Sequence, residues 1–146
     1  MATAIQVVID CADPATLSEF WATALHYKLE DPPPGFDTWQ DFLREQGIPE
    51  EKWNSASAVA DPEGKGPRLY FQQVPEKKEV KNRLHLDLNV GGGRGATLED
   101  RRKSVDTEVD RLVAAGATIY RPGEVSEFGE YWVTLRDPEG NEFCIQ

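Results

Sequence analysis

The chain has 146 residues, enough for one domain or for two small halves sharing a core. Its 26 acidic and 16 basic residues give a net charge of −10, which repels phosphate backbones and anionic lipid and so argues against nucleic-acid and membrane-surface partners. No apolar run reaches about 18 residues and no signal-peptide pattern opens the chain, so a cytoplasmic protein is expected, with Cys11 and Cys144 reduced and outside any CxxC motif.

In chain order, residues 4–10 read as a strand, with Ile5, Val7 and Ile9 on one face and Gln6, Val8 and Asp10 on the other. Asp13-Pro14 opens a helix, because aspartate accepts from free amides and proline suits the first turn. Leu17, Phe20, Trp21, Ala24 and Leu25 then fall at helical spacing and form its apolar stripe. From 31 to 57 the texture changes. Pro32-Pro33-Pro34-Gly35 breaks regular structure, and Trp39, Phe42, Leu43 and Trp53 suggest a short helix whose aromatics either pack on the domain or cover a pocket. Residues 68–74 alternate again, with Leu69 and Phe71 on the core face and Arg68, Tyr70 and Gln72 opposite.

The clearest alternation is 83–90. Leu84, Leu86, Leu88 and Val90 point one way; His85, Asp87 and Asn89 point the other. An imidazole, a carboxylate and an amide in a row suit a lined cavity. The glycine-rich run 91–95 lacks the spacing and the lysine of a phosphate loop and reads as a flexible link. Residues 101–115 form a helix on Val105, Val109, Leu112 and Val113, ended by Gly116. Strands at 117–120, 131–135 and 142–146 complete the chain. In the last, Phe143 and Ile145 face the core, with Glu142, Cys144 and Gln146 on the opposite face.

Asp-Pro-Glu-Gly occurs at 61 and again at 137, each time between strand-like segments. Each copy follows a strand and a helix, so the order strand, helix, then about three strands runs twice. The expected fold is therefore α+β: two βαβββ modules, about 1–75 and 83–146, within a single domain of 1–146. The alternation turns Gln6, Tyr70, Gln72, His85, Asp87, Glu142 and Cys144 toward one shared hollow.

With these elements placed, the chain resembles the vicinal oxygen chelate superfamily, the glyoxalase, bleomycin-resistance and extradiol-dioxygenase group. More narrowly it is similar to the actinobacterial-type glyoxalase-like domains. The resemblance is carried by Asp13-Pro14 with Phe20-Trp21, by 68–72, by 81–87 and by 137–144. It implies a curved, partly open mixed β-barrel with helices outside, and a homodimer. Metal enzymes of the group place one ligand on the first and one on the last strand of each half. That implies metal ligands at Gln6, His85 and Cys144, with Tyr70 or Gln72 at the remaining position.

Two of these four positions depart from the glutamates of family glyoxalases. A glyoxalase needs a base beside its metal to move a proton between adjacent carbons, and glutamine is no useful base near neutral pH. Glu142, on the face of Cys144, is the candidate catalytic base. A set of Gln, His and Cys suits a zinc-like divalent metal better than magnesium. Tyr70, Gln72, Asp87, Trp39 and Trp53 are the candidate substrate contacts, and Asp87 either orients His85 or pairs with Arg83.

Two functions follow. One is an enzyme, a metal-dependent lyase, isomerase or oxygenase of this superfamily acting on a small oxygenated metabolite, though not an efficient lactoylglutathione lyase. The other is a metal-free protein that sequesters a small molecule, as bleomycin-resistance proteins do, with Trp39, Trp53, Tyr70 and Trp132 supplying contact area.

Overall fold

The computed structural model describes residues 1–146, which divide into two compact units, Met1–Lys77 and Lys78–Gln146. Each unit has the order βαβββ, with a short helix and a 3-10 turn inserted before the third strand of the first unit.

The first unit runs β1 (Val7–Cys11), α1 (Pro14–Leu25), β2 (Lys28–Leu29), α2 (Trp39–Glu45), a 3-10 turn (Glu50–Lys52), β3 (Ala56–Ala60) and β4 (Leu69–Gln73). Its four-stranded mixed sheet has the order β1-β4-β3-β2, with β1 parallel to β4. The helix starts where the sequence places it. The Asp13 carboxylate accepts from the Thr16 amide at 3.2 Å, and Pro14 fills the first turn. α1 packs on β3 and β4, and Leu17, Phe20, Trp21 and Ala24 are buried with Val59, Leu69 and Phe71. Along β1 the expected facing holds from Val7 onward, with Cys11 buried and Val8 exposed, but the strand starts at Val7 rather than residue 4, and Ile5, read as sharing the face of Val7 and Ile9, is 74% exposed.

The second unit runs β5 (Asp87–Leu88), α3 (Leu98–Ala114), β6 (Thr118–Val125), β7 (Tyr131–Arg136) and β8 (Glu142–Ile145). Its sheet has the order β5-β8-β7-β6, with β5 parallel to β8. α3 packs on β7 and β8. Val105, Val109 and Leu112 from the helix, Val133 and Leu135 from β7, and Phe143 and Ile145 from β8 form the buried core. Both sheets are open, each with two edge strands, and no closed barrel forms.

The repeated tetrapeptides fold alike. Asp61 Oδ1 accepts from the Glu63 amide and Asp137 Oδ1 from the Glu139 amide, both at 2.9 Å. The Gly64 and Gly140 amides then return to the Asp61 and Asp137 carbonyls, again at 2.9 Å. Both glycines take positive φ, +68° and +87°, which a side chain would strain. The two copies are thus one turn used twice.

Three further expectations need correction. The strand read over 83–90 is a ladder of two residues, and Leu84, read as core, is 89% exposed. β5 is an edge strand with β8 as its sole neighbour, so the chain just ahead of it, 83–86, has no second strand to hold it flat. The strand read over 117–120 extends to Val125, with two register irregularities against β7. Lys28–Leu29 forms a short strand that carries no sequence pattern at all.

Candidate functional site

The parallel pairing of β5 with β8 sets Asp87 directly beside Cys144. His85 lies two residues before Asp87, and its Nε2 is 3.3 Å from Asp87 Oδ1. One ligand atom from each of His85, Asp87 and Cys144 therefore falls within 4.8 Å of the other two. His85 and Asp87 are exposed and Cys144 is half-buried, so the cluster is open on one side.

The Cys144 thiol is held from β7, where the Thr134 hydroxyl lies 3.6 Å from Sγ. Burial pushes its pKa up; the Thr134 contact opposes this, the Asp87 charge adds to it, and the Lys81 charge counters it. A bound cation would reverse that balance and favour the thiolate.

Next along the same face is Glu142, paired with Arg136 across β7 and β8. Its side chain is 2% exposed. Oε2 accepts from the Asn82 amide at 2.9 Å and sits 3.3 Å from Lys78 Nζ, and Oε1 lies 3.6 Å from Arg136 Nη2. Burial alone would raise its pKa, but the Asn82 amide and Lys78 outweigh burial and pull it down to about 2. Such a carboxylate is a poor proton acceptor near neutral pH. Its geometry is that of an anchor, tying the segment 78–82 to β8 just ahead of His85. Glu142, the candidate catalytic base of the sequence, is thus engaged by Asn82, Lys78 and Arg136.

The remaining candidates lie in the first unit. Gln6 Oε1 accepts from Arg68 Nη1 at 2.8 Å, and Arg68 Nε also donates to Glu30 at 2.6 Å. Gln72 is exposed on β4. Trp39, Trp53 and Tyr70, named from the sequence as substrate contacts, line one cavity of about 530 Å³, and Gln72 is outside its lining. The insertion builds its wall, since α2 brings Trp39 and the 3-10 turn ends at Trp53. Alternation turns His85, Asp87 and Cys144 toward one side, and the β5–β8 register then sets Asp87 next to Cys144.

The model of the glyoxalase-like domain family matches residues 6–146. The chain belongs to that family. Among curated proteins none matches. Several solved structures share the fold. A glyoxalase/bleomycin resistance/dioxygenase family enzyme from Burkholderia phytofirmans PsJN is 20% identical, with a TM-score of 0.61 over 96% of this chain and 94% of its own. A mutant of the fosfomycin resistance protein FosX from Listeria monocytogenes, complexed with Mn(II) and 1S,2S-dihydroxypropylphosphonic acid, is 11% identical, with a TM-score of 0.63 over 100% and 90%. TioX from Micromonospora sp. ML1 is 17% identical, with a TM-score of 0.55 over 99% and 97%. No helix of this glyoxalase-like protein is long and apolar enough to cross a membrane.

Proposed function

We propose that this glyoxalase-like protein is a metal-dependent enzyme acting on a small oxygenated metabolite, with His85, Asp87 and Cys144 as ligands to one zinc-like divalent ion. The observation that carries the reading is the convergence of three donor atoms of different chemistry within 4.8 Å, from β5, from β8 and from His85 just ahead of β5. An imidazole, a carboxylate and a thiolate suit zinc or cobalt, whereas manganese and magnesium favour sets made of oxygen. The Mn(II) held by FosX is therefore not the ion this donor set favours.

Three protein ligands leave a position open to a substrate oxygen, as catalytic zinc sites do. When bound, the ion supplies a Lewis acid that polarises such an oxygen. The chain's own part is to hold the donors: Thr134 fixes the Cys144 sulfur, the β5–β8 register fixes Asp87, and Glu142 fixes the segment leading to His85. Outer partners of this kind commonly change metal affinity by about 10- to 100-fold.

Metal analysis of protein purified without an affinity tag tests the reading. About one zinc per chain is expected, with His85→Ala losing most of it while the fold stays intact. Folded protein that arrives without metal and takes up none on titration with zinc would overturn it.

A further inference from the structure

The cavity of about 530 Å³ is lined wholly by residues of the first unit. That volume suits a small organic molecule. Its chemistry is distinctive. Trp39, Trp53 and Tyr70 line it together with the small side chains of Ala56 and Ala58, and Ala58 is the cross-strand neighbour of Tyr70. Both indoles are held by backbone carbonyls. Trp39 Nε1 donates to the Glu30 carbonyl at 2.7 Å, and Trp53 Nε1 donates to the Ile48 carbonyl at 2.9 Å. With both indole donors consumed, the tryptophans offer a ligand rigid π surface and no hydrogen bond.

The charges in the lining point the same way. Glu30 and Arg68 neutralise each other at 2.6 Å, and Arg68 also sits over the Tyr70 ring at 5.4 Å. Glu19 and Lys52 remain, neither in an ion pair. The unit around them carries thirteen acidic and six basic residues, a net charge of −7, against −3 for the second unit. The field at the cavity therefore favours a cation, which Lys52 on its flexible stem opposes only weakly.

We propose that this cavity binds a small planar aromatic cation, stacked among Trp39, Trp53 and Tyr70 with its charge toward Glu19. Aromatic faces that attract a cation and a carboxylate without a partner act together here. The site uses none of His85, Asp87 or Cys144, so it stands whether or not the second unit holds a metal.

Calorimetric titration of the whole protein with N-methylquinolinium, 2-naphthol and 2-naphthoate tests this with one ring size and three charges. The cation should bind at least about tenfold more tightly than 2-naphthoate and several-fold more tightly than 2-naphthol. Glu19→Gln should reduce the preference over 2-naphthol by a few-fold, and Trp53→Leu should weaken the cation about tenfold or more. Because Trp53 also anchors the Ile48 carbonyl, Ala56→Leu serves as a second variant. It fills the cavity from an exposed strand position, removes no side-chain hydrogen bond, and should weaken the cation equally. Absence of binding by the cation overturns the proposal. So does equal or tighter binding of 2-naphthol or 2-naphthoate, or cation binding that both Trp53→Leu and Ala56→Leu leave unchanged.

Discussion

Glu142→Gln should destabilise the protein by about 3 kcal/mol at neutral pH, a loss of roughly 10 °C in melting temperature. The carboxylate is buried, with its pKa lowered from 4.5 to about 2 by the Asn82 amide and Lys78 acting against burial. A folded-state value below the unfolded one means that the anion's contribution is complete above about pH 4.5 and is lost as pH falls through about 2. The gap between wild type and Glu142→Gln should therefore be widest at neutral pH and close on acidification. Denaturant unfolding of both proteins from pH 7 to pH 3 checks this. A gap that stays constant, or widens in acid, would show that the side chain acts through packing alone. Since Glu142 also fixes the segment ahead of His85, the same variant should weaken metal uptake without removing a ligand.

The second large effect concerns a reaction the fold invites. Lactoylglutathione lyase chemistry needs a carboxylate to carry a proton between adjacent carbons. On the last strand of the second unit Cys144 offers a thiol rather than a carboxylate, and the nearby Glu142 is committed to Asn82, Lys78 and Arg136. Within the β5–β8 cluster only Asp87 is a carboxylate, and the proposed function uses it as a ligand. Loss of a general base typically costs about 10²- to 10⁴-fold, so turnover of the methylglyoxal–glutathione hemithioacetal should be about 0.1 per second or lower with zinc, nickel, cobalt or manganese supplied. Turnover of about 10 per second would contradict this and would require a base that neither strand face has displayed.

Much of the fold was legible because it rests on local signals. Asp13-Pro14 sets the start of α1 at the expected residue, and the repeated Asp-Pro-Glu-Gly turns fold with the same hydrogen bonds. Alternation also placed Cys144 and Glu142 on the face opposite Phe143 and Ile145. What failed was non-local. Leu84 reads as core by period two, yet the edge position of β5 leaves it exposed. The partnership of Asp87 with Cys144 spans 57 positions and follows from parallel register, which no pattern within either strand encodes. Glu142 looked like a free carboxylate because its three partners come from the 78–82 segment and from β7. Trp39, Trp53 and Tyr70, named from the sequence, line one cavity because the insertion folds back on the sheet that carries Tyr70.

Cobalt substitution tests the central claim most directly. Wild-type protein loaded with Co(II) should show visible bands of four-coordinate cobalt together with near-ultraviolet charge transfer from the Cys144 thiolate. Cys144→Ser should remove the charge-transfer absorption, and His85→Ala should abolish stoichiometric uptake. Weak, pale spectra of an oxygen-coordinated ion, unchanged by Cys144→Ser, would contradict a metal centre built on His85, Asp87 and Cys144.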